Sequence, residues 1–451
     1  MISSCIDQTQ LQNNIITMSN RSITSFLDTD LYKITMQAAI HENFPNSDVE
    51  YKFNNRSFND KKFSLEAINW LEEQFKLLST LRFTQNEVDY LKNTVAFLPK
   101  NYIDFISNDF KLTPDNEIFL TKTLSSDPSF KGLYDIDIKI KGKWEVTILY
   151  EIYILALVSE SYFKFVDTDW DYEGQLEQSY NKATTLFQNG IVFSEFGTRR
   201  RRDFKTHDII INGILKARDS NPDKFGTLLL GTSNVLLAKN YNLKPIGTVA
   251  HEWFMGIASL KKNYSNSNKI AMEYWISTFG PQNAGLALTD TFGTDIFLKN
   301  FEKPLTDYYI GVRQDSGDPK TYTDKISNHY LNKLGYAPYS KSICYSDSLN
   351  VEKCIDLNQY CYEKKLKCNF GIGTYFTNDF KTKSSDYKIK SEPLNIVIKI
   401  MRIDNEFCIK ISDNIGKNMG DENTILKVKK ELGYVDNEWV GVSEEHRWKD
   451  Q

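Results

Sequence analysis

From about residue 150 onward the chain repeats one unit: a short apolar run, a small or polar cluster, then a helix-like stretch. The clusters are FSEFGTRRR (193–201), LLLGTSN (228–234), IGTVAHEW (246–253), LALTDTFGTD (286–295), IGVRQDSGDP (310–319), ICYSDSLN (343–350) and NFGIGTY (369–375). They start about 18 to 40 residues apart, a spacing at which strands alternate with helices and a parallel sheet follows. Seven such units, each with chemistry just past its strand, predict an α/β barrel whose carboxyl-end loops build one site. An open doubly wound sheet is the competing architecture. No close sequence repeat underlies the units.

The first 150 residues read differently. SFLDTDLYKITMQAAIH (25–41) places Asp28, Thr29 and Asp30 as capping residues before a helical apolar run. YKFNNRS (51–57) alternates like a strand, and residues 64–81 carry a helical pattern through Leu65, Ile68, Leu71, Phe75 and Leu78. Thr84 and Glu87 form a capping box. IDIKIKGKWEVTIL (136–149) alternates on both sides of Gly142, which predicts a hairpin. LNIVIKIMRI (394–403) returns to antiparallel grammar and can pair with the first sheet. The expected organisation is therefore a flexible extension (1–24), a smaller discontinuous α+β domain (25–145 plus 390–430), the barrel (146–389) and a C-terminal tail (431–451).

Charge limits the function. Lys+Arg 55 against Asp+Glu 59 leaves a net charge of −4, so no whole-chain electrostatic grip on nucleic acid or acidic membrane is expected. Any anion must be held by a local cluster. Six cysteines without a C-x-x-C pair read as reduced thiols, which points to a cytoplasmic protein. Cys354, Cys361 and Cys368 recur every seven residues, as small apolar groups on one helix face would. No apolar run reaches the roughly 18 residues of a membrane span, no secretory signal is visible, and Ile152–Val158 reads as a buried core helix.

Four consecutive arginines, Arg199 to Arg202, follow a strand-like segment. With Gly197 and Thr198 opening a helix, they suggest a phosphate or carboxylate trap; a solvated surface run is the plain alternative. GTSN (231–234), GIGT (371–374) and SDSLN (346–350), the last with a helix expected to start at Ser348, are turns that offer amides and hydroxyls to phosphates. No G-x-x-x-x-G-K-[ST] and no G-x-G-x-x-G after a first strand occur. His251 is one of five histidines and sits in the same slot as the other clusters. HEWFM is not H-E-x-x-H, because position 255 is Met. An imidazole near phosphate loops is a candidate nucleophile toward ATP. Asp290, Asp295, Asp315, Asp318 and Asp347 recur at these slots, as helix caps or as holders of Mg²⁺ or ribose hydroxyls. Arg313 can read a small planar acid.

Taken together, DTDLYKITM, YKFNNR, EFGTRRR, GTSN, IGTVAHEW, LTDTFGTD, RQDSGDP, SDSLN and GIGTYF, in this order over residues 25–400, resemble the nicotinate phosphoribosyltransferase family. The resemblance implies an irregular α/β barrel with a smaller α+β domain. It also implies synthesis of nicotinate mononucleotide and pyrophosphate from nicotinate and phosphoribosyl pyrophosphate, in NAD biosynthesis. ATP hydrolysis would be coupled through a phosphohistidine, at His251. By the same resemblance Tyr32, Phe196, Thr248 and Arg313 fall at nicotinate positions, and Arg199, Asp315, Gly373 and Thr374 at phosphoribosyl positions. Ser348 joins the substrate-binding turns. Asp290 matches an acidic position near the diphosphate, and Asp290 with Asp315 would hold Mg²⁺. A monomer and a homodimer both remain open, with Tyr32 supplied across the interface in dimeric members. Competing readings are a nicotinamide phosphoribosyltransferase on the same fold and, from another class, a nucleic-acid-binding protein using the arginine run.

Overall fold

The structure, a computed structural model, describes residues 21–247, 249–414 and 418–435. In chain order its strands are β1 (Asp48–Asn55), β2 (Ile118–Leu124), β3 (Tyr134–Lys143), β4 (Phe193–Glu195), β5 (Leu229–Thr232), β6 (Leu286–Leu288) and β7 (Gly311–Gln314). They continue as β8 (Ser342–Tyr345), β9 (Lys367–Ile372), β10 (Phe380–Lys381), β11 (Lys390–Ser391), β12 (Ile396–Ile403) and β13 (Glu406–Phe407).

β4 to β9 form one all-parallel sheet in the order β5-β4-β9-β8-β7-β6. That order is cyclic: the last strand in sequence, β9, closes beside the first, β4. The expected strand at 244–250 is reduced to a bridge, Thr232 to Pro245, on the outer edge of β5. The ring opens between that bridge and β6, where the helix His251–Lys261 enters. This is an irregular α/β barrel, as the repeating units imply, with one stave replaced by the start of a helix.

The second sheet is antiparallel, in the order β13-β12-β1-β3-β2. β12 pairs along β1, with Tyr51 opposite Ile400 and Phe53 opposite Ile398. Apolar residues on alternate positions of both strands are buried, which fixes this register, because a one-residue slip would turn them to the wrong face. The hairpin expected about Gly142 is not formed. β3 is one strand in which Gly142 pairs with Val49, and a helical turn, Trp144–Thr147, follows. A Cβ on Gly142 would stand 2.9 Å from Cγ2 of Thr147, so the glycine lets a strand meet the next helix at close range. The apparent alternation in WEVTIL is instead helical, with Trp144, Thr147 and Ile148 buried at i, i+3 and i+4.

The segment Trp144–Phe165 is long and apolar enough to cross a membrane by length and composition, yet 89% of its apolar window lies inside the protein. It is a core helix, apolar all round because it is covered all round. The caps at Ser64 and the Thr84–Glu87 box form as the spacing predicts. Asp30 stands at the N-cap of the helix Leu31–Asn43 but makes no side-chain cap. Its carboxylate instead accepts from Thr198 and Ser233, both at 2.7 Å, and ties that helix to the barrel. Cys354 and Cys361 are buried on the helix Val351–Glu363, but Cys368 lies on β9, since the helix ends before it.

Candidate active site

One cavity opens at the carboxyl ends of β4, β7, β8 and β9, roofed by β12 and by the first turn of the helix Leu31–Asn43. It gathers Tyr32, Phe196, Arg199, His251, Arg313, Asp315, Ser348, Gly373 and Thr374. Asp347, another of the acidic candidates, also lines it, whereas Asp290 sits one layer behind, Asp295 and Asp318 lie outside it, and Thr248 falls outside the described residues. Tyr32 and Arg313 of a single chain therefore face the same space.

Close backbone packing shapes the floor. Phe196 follows β4 and lies against Gly371, where an added Cβ would come within 2.4 Å of its ring. At Gly373 a Cβ would meet the carbonyl oxygen of Phe196 at 2.7 Å. These two glycines let β9 pass beneath Phe196 and bring the Thr374 turn to the cavity.

His251 is the first residue of its helix, so its ring projects from the break in the barrel. Its Nε2 lies 2.7 Å from Oδ1 of Asp290 and 3.7 Å from Oδ2 of Asp315. Burial, with the nearby Lys410 ammonium, pushes the imidazole down to about 4 against the pull of Asp290, so it is neutral at pH 7. A neutral ring beside an ionised Asp290 donates from Nε2. Burial works to raise Asp290, but His251, Lys410 and the Ser316 hydroxyl outweigh it and hold it well below the usual carboxylate range. Asp315 is likewise held low, against burial, by Arg313 and His251. Arg313 donates to Oδ1 of Asp315 at 3.0 Å and to Oγ of Ser346 at 2.8 Å. One ligand atom each from His251, Asp290 and Asp315 lie within 4.8 Å of one another.

The arginine run splits. Arg199 faces the cavity and makes no hydrogen bond or ion pair among the described residues. Arg200 also borders it, but its guanidinium is directed to the Ile396 carbonyl and the Asn395 side chain. Arg201 makes a two-pronged pair with Asp28 at 2.7 and 2.6 Å, fully buried. Arg202 lies over the rings of Phe163 and Phe380, at 3.8 and 4.2 Å, and donates to Asn378 and Ser391. Two of the four arginines expected in an anion trap are thus structural clamps. Nor does an α-helix open at Gly197: residues Thr198–Arg200 form a 3₁₀ turn, and the helix starts at Phe204 under an Asp203 cap. The helix after SDSLN begins at Val351 with Asn350 as its cap, leaving Ser348 in a left-handed turn (φ 51°) at the cavity edge. Asp318 is a helix cap, accepting from the Thr321 amide at 2.6 Å. Asp295 pairs with Lys325 at 2.8 Å, away from the site.

Several cavity residues were not read from the sequence: Arg56 from beyond β1, Lys399 on β12, Glu151 on the core helix and Lys410 after β13. Burial lowers Lys399 to about 8, with Arg199, Lys410 and Arg56 adding to the fall and Glu151 opposing it. A lysine inside an otherwise apolar strand, as in IVIKIM and CIKIS, was the available signal. Behind the wall, buried Lys33 bridges Glu151 at 2.6 Å and Glu252 at 2.5 Å. Glu252 also accepts from Tyr51 at 2.6 Å and from Trp144 at 2.8 Å.

The chain matches two family models: the nicotinate phosphoribosyltransferase (NAPRTase) N-terminal domain over residues 27–159 and the nicotinate phosphoribosyltransferase (NAPRTase) family over residues 191–435. It is 57% identical to a Saccharomyces cerevisiae nicotinate phosphoribosyltransferase over 433 residues, 96% of this chain and 100% of that one. Its fold superimposes on a S. cerevisiae crystal structure described under the same family name with a TM-score of 0.90. That match has 57% identity and covers 93% of this chain and 100% of the other. A Porphyromonas gingivalis nicotinate phosphoribosyltransferase structure gives a TM-score of 0.79 at 32% identity, covering 91% of this chain and 100% of the other.

Proposed function

The chain belongs to the nicotinate phosphoribosyltransferase family, and from that premise we propose that it makes nicotinate mononucleotide and pyrophosphate from nicotinate and phosphoribosyl pyrophosphate, in NAD biosynthesis, with ATP hydrolysis coupled through His251. The carrying observation is the position of His251, paired with Asp290 and beside Asp315, at the wall of a cavity that also holds Arg199, Arg313 and the Gly373–Thr374 turn.

Nicotinate is a flat anion. Tyr32 and Phe196 supply aromatic faces to it, and Arg313, braced by Asp315 and Ser346, supplies a cation for its carboxylate. The pyridine nitrogen lone pair forms the bond to ribose C1 while the C1–O bond to pyrophosphate breaks, and pyrophosphate leaves with that electron pair. No general base is needed, because the nitrogen carries no proton to lose. Asp315 steadies the positive charge that grows on the ribosyl centre, and Arg199 with Lys399 takes the departing diphosphate. In the coupling step the His251 lone pair attacks the γ-phosphorus of ATP and ADP leaves. Water later attacks the same phosphorus, the P–N bond breaks and the imidazole is restored.

The donor set fits Mg²⁺, a hard cation bound by one or two carboxylates plus substrate phosphates. Asp315 at the cavity and Asp290 behind it would hold the ion, which when bound neutralises diphosphate charge. Asp290 already has both oxygens engaged, so Asp315 is the more available ligand.

The domain reading accompanies this one: 25–145 with 390–430 as the α+β unit, supported by the β1–β12 pairing, and 146–389 as the barrel. Since Tyr32 reaches its own chain's cavity, one chain suffices to build the site, whether it works as a monomer or a homodimer. The nucleic-acid reading loses its support, because Arg200, Arg201 and Arg202 are at most 3% exposed.

The test is incubation with γ-labelled ATP, nicotinate and phosphoribosyl pyrophosphate. Acid-labile label on the protein together with nicotinate mononucleotide is expected. Faster turnover of nicotinamide than nicotinate would move the assignment to the amide, and product without protein label would remove the phosphohistidine.

A further inference from the structure

Asp290, the partner of His251, is itself held by a segment from elsewhere in the chain. After β13 the backbone leaves the antiparallel sheet and crosses the barrel mouth at residues 408–413. Lys410 brings its ammonium to Oδ2 of Asp290 at 3.0 Å, with only 6% of its side chain exposed. Ser316 holds the same oxygen at 2.5 Å. The segment is pinned on two turns, the one after β6 that carries Asp290 and the one after β7 that carries Asp315. The amide of Ile411 donates to the Thr291 carbonyl at 2.9 Å, and Ser412 and Ser316 share a hydroxyl contact at 2.9 Å. Asp413 accepts from the amide of Thr294 at 2.7 Å and from its hydroxyl at 2.5 Å. Lys410 itself is fixed by a two-way backbone bridge to Met419, 2.9 Å in each direction. At Gly317, whose φ is +78°, a Cβ would stand 3.0 Å from Cβ of Asp413, so the second turn packs directly under the segment.

We propose that the Cys408–Asp413 segment is a strap that sets the geometry of His251, and that Lys410 is its positioning residue for phosphoryl transfer. The inference rests on the phosphohistidine reading above. A carboxylate can turn about its Cβ–Cγ bond. With Oδ2 fixed by Lys410 and Ser316, Oδ1 can only face Nε2 of His251, and the ring is held in one orientation and one tautomer. Lys410 also balances a carboxylate that burial would otherwise leave costly. When His251 carries a phosphoryl group, the site gains negative charge, and the ammonium keeps Asp290 anchored against it. The strap comes from the sheet whose β12 carries Lys399 to the cavity, so the element holding the histidine and the element facing the diphosphate are continuous in the chain.

The test uses the full chain and three variants: Lys410→Met, Lys410→Arg and Asp413→Asn. Phosphoprotein formation from γ-labelled ATP, ATP consumed per nicotinate mononucleotide, and ATP-independent transfer are measured, with thermal melting as a fold control. Lys410→Met is expected to lower the rate of phosphoprotein formation at least tenfold, a larger fall than in ATP-independent transfer, because Lys410 acts on phosphorylation through Asp290 and His251. Lys410→Arg should restore much of the phosphorylation, because it keeps the charge. Asp413→Asn, which keeps Lys410 and loosens the strap, should lower phosphorylation several-fold, and it decides the matter if the methionine variant does not fold. Parent-like labelling in Lys410→Met, or in Asp413→Asn where that one decides, overturns the proposal. So does a Lys410→Met defect confined to the KM for phosphoribosyl pyrophosphate, which would make Lys410 a substrate contact. If the parent protein itself takes no label, the functional reading fails instead.

Discussion

Nε2 of His251 and Oδ1 of Asp290 stand 2.7 Å apart, and with Nε2 donating in that contact the lone pair of the neutral ring resides on Nδ1. The phosphoryl group is therefore expected on Nδ1. Phosphorus–nitrogen coupling in ¹⁵N-labelled phosphoprotein distinguishes the two isomers, and an Nε2 phosphate would mean that the Asp290 contact breaks before reaction. Asp290→Asn should slow phosphorylation by about 10²-fold or more, the scale of a lost general acid–base or tautomer-fixing partner.

The four arginines should separate into two phenotypes. Arg199→Ala removes a cavity-facing cation and is expected to raise the KM for phosphoribosyl pyrophosphate about tenfold or more, with little change in unfolding free energy. Arg201→Ala leaves Asp28 buried without its ionic partner and should cost about 3–5 kcal/mol of stability. Denaturant titration beside steady-state kinetics makes the comparison. Equal destabilisation by both would place Arg199 in the scaffold.

That split marks where sequence reading stops. The barrel units, the His251 slot and the Gly373–Thr374 turn follow from local pattern, because each strand and the loop after it are contiguous. Which arginine points where depends on Asp28, Asn378 and Phe380, residues as much as 178 positions away. The same holds for Lys410, whose partner Asp290 is 120 residues back. A lone lysine among isoleucines signals a buried charge, but not the carboxylate that balances it. Gly142 misled for a local reason: a glycine between two alternating segments fits a hairpin turn and also a strand packed on the following helix.

Lys399 gives the site a pH dependence of known sign. Its ammonium is lowered to about 8, so it is about nine-tenths charged at pH 7 and about one-tenth charged at pH 9. Only the charged form attracts a diphosphate. The KM for phosphoribosyl pyrophosphate should therefore rise as pH climbs from 7 to 9, by up to about tenfold, with an inflection near 8. Lys399→Arg should flatten that limb, since a guanidinium stays charged throughout. Persistence of the inflection in the arginine variant would assign it to another group.

The Lys33 bridge gives the last test. Burial lowers its ammonium, but Glu151 and Glu252 outweigh that and hold it charged, with no side-chain exposure. Each glutamate is about 8% exposed, and Glu252 also carries the Tyr51 and Trp144 hydrogen bonds on its other oxygen. Lys33→Met keeps the volume and removes the charge, so two carboxylates are left facing each other in the interior. A cost of about 3–5 kcal/mol is expected by urea denaturation. Part of that loss comes from desolvated negative charge rather than from lost packing. Adding Glu252→Gln to Lys33→Met should therefore recover about 1–2 kcal/mol, although the glutamine alone destabilises the parent. Because Glu252 follows His251 on the same helix, the double variant should regain more stability than phosphorylation: the charge conflict is relieved, while the helix start has lost its ionic tie to Lys33. A double variant no more stable than Lys33→Met would locate the cost in packing around the lysine stem instead.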